Sequence, residues 1–351
     1  MIINHNLAIK DSNSFYNSFY NKINSSDIIF ISGPTASGKT MFAHKLANKI
    51  RGDILNIDSM QIYQDLKYIT CSPEKDILYD FYIDKYNDKT IENNKKQIEY
   101  KLYNILSPYK ELSSIKYSKL CLEEIKDTIT KHNKPIIVGG TGLYIDTMIN
   151  GYNLIPDIDQ HIKIKTMEIL QNHSIEYLYN ELAKLDPKIL DVKTIKPSDQ
   201  SRIIRAYNVF NQTGKSITDY WIESERIKPL ENYKIFHIML FPEKELMYSL
   251  CNNRVITDII DSEKVKTEIT NFQKKYKNLN TTATKAIGLK DMILYLNNKI
   301  SKQEAINNIS LLTRRYAKRQ ITWFSKKVKY DHVINFSSQK ELNDVISKLE
   351  L

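Results

Sequence analysis

The sequence predicts an α/β protein with a parallel sheet at its core, and three observations carry that expectation. An apolar run, IIFIS at 28–32, enters a glycine turn and leaves as an amphipathic helix with Phe42, Leu46 and Ala47 on one face. The strand–turn order returns at ILNI (54–57) and at PIIV (135–138). Glycine is scarce: the chain has 9, where average usage would give about 25. Five of these, Gly33, Gly38, Gly139, Gly140 and Gly142, fall in two of the turns. Glycine gathered in this way marks backbone that must bend sharply or approach a ligand closely.

The first turn reads GPTASGKT: Gly33, Pro34, Thr35, Ala36, Ser37, Gly38, Lys39 and Thr40. With a strand before it and a helix after it, this is the context a phosphate-binding loop requires. Backbone N–H groups of the loop and helix start surround a phosphate, Lys39 adds a positive charge, and the Thr40 hydroxyl can hold Mg²⁺. The motif names a ligand class, a di- or triphosphate, and leaves the reaction open.

The second strand ends in DSMQIY, placing Asp58, Ser59, Met60 and Gln61 at the carboxyl edge of the sheet, where ligands sit in open α/β folds. Asp58 there is placed to act as a base, or only to cap the helix that follows. The third strand feeds GGTGLY, which brings Thr141 to the same rim; taken alone, that segment is equally a tight β–α turn. Downstream, RIIRAYNVF (202–210) has helical spacing and ends at TGKS. Its Arg202 and Arg205 share a face that suits pyrophosphate or nucleic-acid phosphates, or is simply solvated.

At 351 residues the chain is long enough for one core with an insertion, or for two domains. Its formal charge is +10, which suits a polyanionic partner. Residues 281–331 hold eleven Lys and Arg against three Asp and Glu, a net +8. There TRRYAKRQITWF (313–324) interleaves bases with aromatics as a nucleic-acid-binding helix does, although Tyr316, Trp323 and Phe324 also fit the buried side of that helix. The 3 cysteines are widely spaced, which fits a reducing cytosol and neither a disulfide framework nor a zinc site. No apolar stretch is long enough to span a bilayer, and no export or transit signal is read, so a cytoplasmic monomer with no membrane partner is expected.

Taken in order, GPTASGKT, DSMQIY, VGGTGLYI, RIIRAYNVFNQTGKS, AIGLKDMILYL and TRRYAKRQITWF resemble the tRNA dimethylallyltransferase family over roughly residues 28–324. The resemblance implies a fold similar to the phosphate-loop NTPases, whose loop here receives dimethylallyl diphosphate with Mg²⁺ at Thr40. It implies prenyl transfer to N6 of adenosine 37, beside the anticodon, in tRNAs that read codons beginning with U. Asp58 matches the family's general base, Thr141 a threonine contacting the nucleoside and reacting centre, and Arg205 a diphosphate-facing arginine. Residues Asp58, Ser59, Met60 and Gln61, and Ser201, Arg202, Ile203, Ile204 and Arg205, correspond to segments that touch the tRNA anticodon stem-loop. Lys163 stands where a tRNA-contacting arginine is usual, and Arg315, Lys318 and Arg319 of the basic segment would meet RNA phosphates. Arg254 also matches a family arginine. The chain departs from the family at Lys101 to Asn104, where a histidine pair and an aspartate are usual.

The expected organisation is a leader (1–26), an α/β core with C-terminal RNA-binding helices (27–150 and 226–330), a helical insertion (151–225) and a tail (331–351). Three rival readings share parts of this pattern. An adenylate isopentenyltransferase acting on free nucleotide has no use for the +8 segment. A small-molecule or nucleotide kinase that binds ATP explains the loop alone, and a non-enzymatic RNA binder leaves the loop and Asp58 without a task.

Overall fold

The computed structural model describes residues 13–73, 98–191 and 195–348. Six strands run parallel: β1 (Ile28–Ser32), β2 (Gly52–Asn56), β3 (Tyr100–Lys101), β4 (Lys134–Gly139), β5 (Ile235–Pro242) and β6 (His332–Phe336), in spatial order β3-β2-β4-β1-β5-β6. β1 is central, with Ile31 opposite Val138 on one edge and Ile238 on the other. A strand with neighbours on both edges and helices on both faces has no solvent side, which is why IIFIS is apolar throughout.

Successive residues of β1 face opposite layers. Ile29 and Ile31 pack with helices α1 (Asn13–Ser25) and α2 (Lys39–Ile50), through Phe19, Ile23, Phe42 and Leu46. Ile28 and Phe30 belong to the other layer. There α3 (Ser114–Thr130) contributes Tyr117, Cys121 and Ile125, and α4 (Gly142–Ile149) contributes Tyr144, Ile145 and Met148. The same layer holds helices of the C-terminal half. α10 (Lys244–Arg254) runs directly into a π-helical turn at Val255–Ile260, followed by α11 (Glu263–Lys275) and α12 (Leu289–Leu296). The 26-residue α13 (Lys302–Lys327) starts with a reciprocal Ser301–Glu304 capping box and buries Ile309, Ala317 and Phe324. Residues Asn150–Lys228 form a second unit, with five helices among its described residues. These are α5 (Gln160–Asn172), α6 (Ile175–Leu185), α7 (Lys188–Asp191), α8 (Gln200–Thr213) and α9 (Ile217–Glu223). They close on their own core of Leu178, Leu182, Ile203, Val209 and Ile217.

Segments near both ends of the described chain are built into the core. The expected leader supplies α1, and Phe19 and Ile23 are buried against the sheet. The expected tail supplies β6, in register with β5 through Ile334 opposite Leu240, and then α14 (Gln339–Lys348). The physical reason is the alternating Ile334 and Phe336, which cover the outer part of the layer that holds α2, together with Leu342, Val345 and Ile346. Leu342 reaches the glycine loop: a Cβ on Gly38 would lie 2.8 Å from its Cδ2. Gly38 also has φ +79°, a conformation glycine adopts without penalty.

Truncating the fully buried Leu342 to alanine is expected to destabilise the protein by about 2–4 kcal/mol. Urea unfolding checks this; an unchanged midpoint would mean that α14 is not part of the folded core.

Candidate active site at the carboxyl edge of the sheet

Because β2, β4 and β1 are neighbours and parallel, the segments leaving their carboxyl ends must meet. Those segments carry Asp58, Thr141 and the glycine loop. Together they line a cavity of about 620 Å³ with residues of α10, the π-turn and α13. Its charged lining is Lys39, Arg254, Lys285 and Arg319 against Asp58 and Asp258, a net +2 that favours an anionic occupant.

The glycine loop is anchored from below. The Ser32 hydroxyl lies 2.7 Å from His237 Nε2, and His237 Nδ1 lies 3.2 Å from the Lys329 carbonyl. Burial lowers the His237 pKa to about 4, so the ring is neutral. Its partners then assign the proton to Nδ1, which donates to the carbonyl, while Nε2 accepts from Ser32. Within the loop Ala36 also adopts positive φ, +63°. Lys39 Nζ donates to the Pro34 carbonyl at 2.6 Å. Desolvation lowers the Lys39 pKa to about 7; the Asp58 charge opposes that fall and Arg254 reinforces it. The Ser37 hydroxyl is buried with no protein partner, which a bound anion's oxygen would satisfy.

Asp58 is held by Asn56, whose Oδ1 accepts from the Asp58 N–H at 2.8 Å and whose Nδ2 donates to the Asp58 and Leu102 carbonyls, each at 3.0 Å. One carboxylate oxygen, Oδ1, accepts from the N–H groups of Met60 (2.8 Å) and Gln61 (3.4 Å). The capping and cavity-lining readings of Asp58 therefore hold together: Oδ1 fixes the turn, and Oδ2 lies outside those bonds. Thr141 joins the same turn, its Oγ1 accepting from Ser59 N–H at 3.0 Å. The Tyr316 side chain lies beside Thr141, and burial followed by the Asp58 charge raises its pKa.

Arg254 crosses the cavity. Its Nη1 donates to Thr35 Oγ1 (2.8 Å), Nη2 to the Thr70 carbonyl (3.1 Å) and Nε toward Cys71 Sγ (3.1 Å). Ser59, Met60 and Gln61 line the cavity, although the Gln61 amide donates to the Thr70 and Cys71 carbonyls. Of the basic residues on α13, Arg319 lines the cavity, whereas Arg315 and Lys318 are exposed and outside its lining. The segment around Asn104 backs the Asp58 turn: the Asn104 N–H donates to the Gln61 carbonyl at 3.0 Å. Lys101 is buried in ion pairs with Asp127 (2.5 Å) and Glu124 (3.3 Å).

Lys163, on α5, and residues 201–205, on α8, belong to the helical unit. Arg202 pairs with Asp199 at 3.3 Å on its surface. Arg205 Nη2 donates to the Pro156 carbonyl at 3.2 Å. Ile203 corrects the expectation of an RNA-contacting side chain: it is fully buried in that unit's own core, because the 3.6-residue period of α8 turns it inward with Ala206 and Val209. Among the cavity groups that sequence reasoning missed are Gln320 and the hydroxyl of Tyr316. Both lie among the basic residues of α13, and their only signal is the i, i+4 spacing that puts them on one face.

A parallel sheet with this loop after β1, a carboxylate just past the end of β2 and a cationic cavity that both line defines a phosphate-loop α/β protein. Comparison with known proteins narrows the class. The family model "IPP transferase" matches residues 82–327. A protein named tRNA dimethylallyltransferase from Rickettsia massiliae (strain Mtu5) is 38% identical over 92% of this chain and 82% of its own length. One of the same name from Rickettsia bellii (strain OSU 85-389) is 38% identical over 93% of this chain and 96% of its own. Among solved structures, a tRNA delta(2)-isopentenylpyrophosphate transferase from Staphylococcus epidermidis aligns with TM-score 0.57 and 27% identity, covering 92% of this chain and 98% of that one. A eukaryotic dimethylallyltransferase acting on tRNA shares the fold, with TM-score 0.68 and 23% identity over 92% of this chain and 80% of that one. The chain belongs to the IPP transferase family.

Anion binding should recharge Lys39. With a free-protein pKa of about 7, the side chain is largely neutral at pH 8 and must take up a proton to pair with a diphosphate. Affinity for inorganic diphosphate then falls with rising pH relative to Lys39→Arg, whose guanidinium stays charged throughout. Titration calorimetry at pH 8 in buffers of different ionisation heat should show up to one more proton taken up by the wild type than by the variant. Equal uptake would refute the shift.

Proposed function

We propose that this protein transfers the dimethylallyl group of dimethylallyl diphosphate to N6 of adenosine 37 in tRNAs that read codons beginning with U, releasing diphosphate. The observation that carries this reading is one cavity holding Asp58 opposite an anion-receptive loop with its orphaned Ser37 hydroxyl. The relatives' names supply the substrate pair, and the exposed bases Arg315 and Lys318 on α13 supply contacts for RNA phosphates.

The adenine N6 lone pair is delocalised into the ring, so the amine attacks weakly unless its proton is removed as the new bond forms. Asp58 takes that proton. The N6–C1 bond forms, the C1–O bond breaks, and its electron pair leaves with the diphosphate. Loop N–H groups, Lys39 and Arg254 face the charge that gathers on the leaving group. Thr141, bonded to the Ser59 N–H, is the residue proposed to contact the nucleoside.

Mg²⁺ fits these residues: it prefers oxygen donors, keeps several waters, and is commonly bound through one or two protein oxygens and substrate phosphates. Thr40 and Asp58 line the cavity as oxygen donors, and when bound the ion would neutralise diphosphate charge. Arg205 remains the proposed second diphosphate arginine, with Lys163, Ser201 and Arg202 toward RNA. The target base must leave the anticodon-loop stack, at a cost of a few kcal/mol. We place the protein in the cytoplasm as a monomer; among the described residues no helix is long and apolar enough to cross a membrane.

Purified protein with Mg²⁺ and labelled dimethylallyl diphosphate should label unmodified tRNA whose anticodon loop carries consecutive adenosines, and not AMP. Label in AMP alone would transfer the protein to the adenylate branch. Phosphate transfer from ATP without prenyl transfer would make it a kinase. Asp58→Ala should lower prenyl transfer by about 10²–10⁴-fold while tRNA affinity, measured by filter binding, stays near that of the wild type.

A further inference from the structure

Gln320 sits in the middle of the basic helix α13, yet it is only 5% exposed. Its amide is divided between two loops. Oε1 accepts from the Thr35 N–H at 2.8 Å, and Nε2 donates to the Gly140 carbonyl at 2.9 Å. The fit is close enough that a Cβ on Gly140 would overlap Nε2. Gly140 does not have the positive φ seen at Gly38, so the absence of a side chain there serves the approach of the amide. Thr35 is held from its other side by Arg254. One turn before Gln320, Tyr316 lies beside Thr141 and lines the same cavity. The face of α13 that carries Arg315 and Lys318 is exposed.

We propose that Gln320 is a positioning residue that sets the spacing between the glycine loop and the Gly140–Thr141 turn, and ties both to the helix whose outer face meets RNA. The proposal rests on the function given above, in which one loop receives the diphosphate and the other, with Asp58, the adenosine. In-line displacement needs the attacking nitrogen and the allylic carbon about 3–3.5 Å apart, and a misplacement of about 1 Å can cost 10²-fold in rate. Neither loop is bonded to the other by its own side chains at this point; the amide spans them. A buried amide is suited to this because one planar group offers a donor and an acceptor in fixed relation.

Gln320→Leu keeps the volume and removes both bonds. The expected result is a 30- to 100-fold lower kcat, with KM for dimethylallyl diphosphate and for tRNA each within threefold of wild type and thermal unfolding shifted by no more than a few degrees. Hydrogen exchange should accelerate both in the peptide containing Thr35 and in the peptide containing Gly140. Gly140→Ala, which displaces the amide from the opposite side, should give the same pattern, and the double variant should lose no more than the worse single one. If Gln320→Leu fails to fold, Gly140→Ala carries the test. A kcat within threefold of wild type, a defect confined to one KM, or accelerated exchange in only one loop or in neither would overturn the proposal. Absence of prenyl transfer to tRNA by the wild type would overturn the function instead, and hydrogen exchange would still decide the role of Gln320.

Discussion

The strand Ile28–Ser32 is enclosed on both faces and both edges, and the rest of the site depends on that enclosure. A glycine loop with residues in left-handed backbone is a poor structure in isolation, since each non-glycine residue held there costs of order 1 kcal/mol. At the end of a strand that cannot shift, the loop has nowhere to relax. Ser32 bonded to neutral His237 fixes its base, Leu342 packs beneath Gly38, and Arg254 and Gln320 grip Thr35. The C-terminal segment is therefore part of the site: β6 and α14 complete the layer on which the loop rests.

The same enclosure sets the electrostatics. Lys39 loses solvation, and the field of Asp58 only partly restores its charge, leaving it near neutrality. Arg254 cannot discharge in this way, so it is paired with oxygen and sulfur acceptors. The result is a cavity with cations ready for an anion, and with Asp58 and Asp258 as the carboxylates in its lining. Such a layout suits a reaction in which negative charge appears at one end while a proton is removed at the other. It suits phosphoryl transfer less well, because that chemistry concentrates metal, cation and base around one phosphorus.

Much of this was legible in the sequence because local rules governed it. The glycine loop, DSMQIY and GGTG all follow apolar strands, and parallel order alone brings such turns together. Of the aromatics read as either RNA-binding or buried, Phe324 is buried. What escaped was set by tertiary pairing. β3 is 2 residues long and exists because Tyr100 and Lys101 find β2, with Lys101 buried against Asp127. β6 is 5 residues long, and its Ile334 and Phe336 become a strand only beside β5. Ile203, grouped by motif with residues expected to touch RNA, was sorted inward by helical period.

The helix Lys302–Lys327 shows why a charge count and a packing pattern must be read together. Its bases gave the first indication of a nucleic-acid partner, and that reading attends only to the outer face. On the inner face Thr313, Tyr316, Gln320 and Phe324 repeat at helical spacing, and the first three line the cavity or bond its loops. One rigid element thus carries both an exposed row of bases and groups that line the cavity or bond its loops. A displacement of this helix on RNA binding would move Tyr316 and Gln320 with it, because side chains buried in a packed interface follow their backbone. Geometry at the cavity is then tied to RNA docking without any separate moving part.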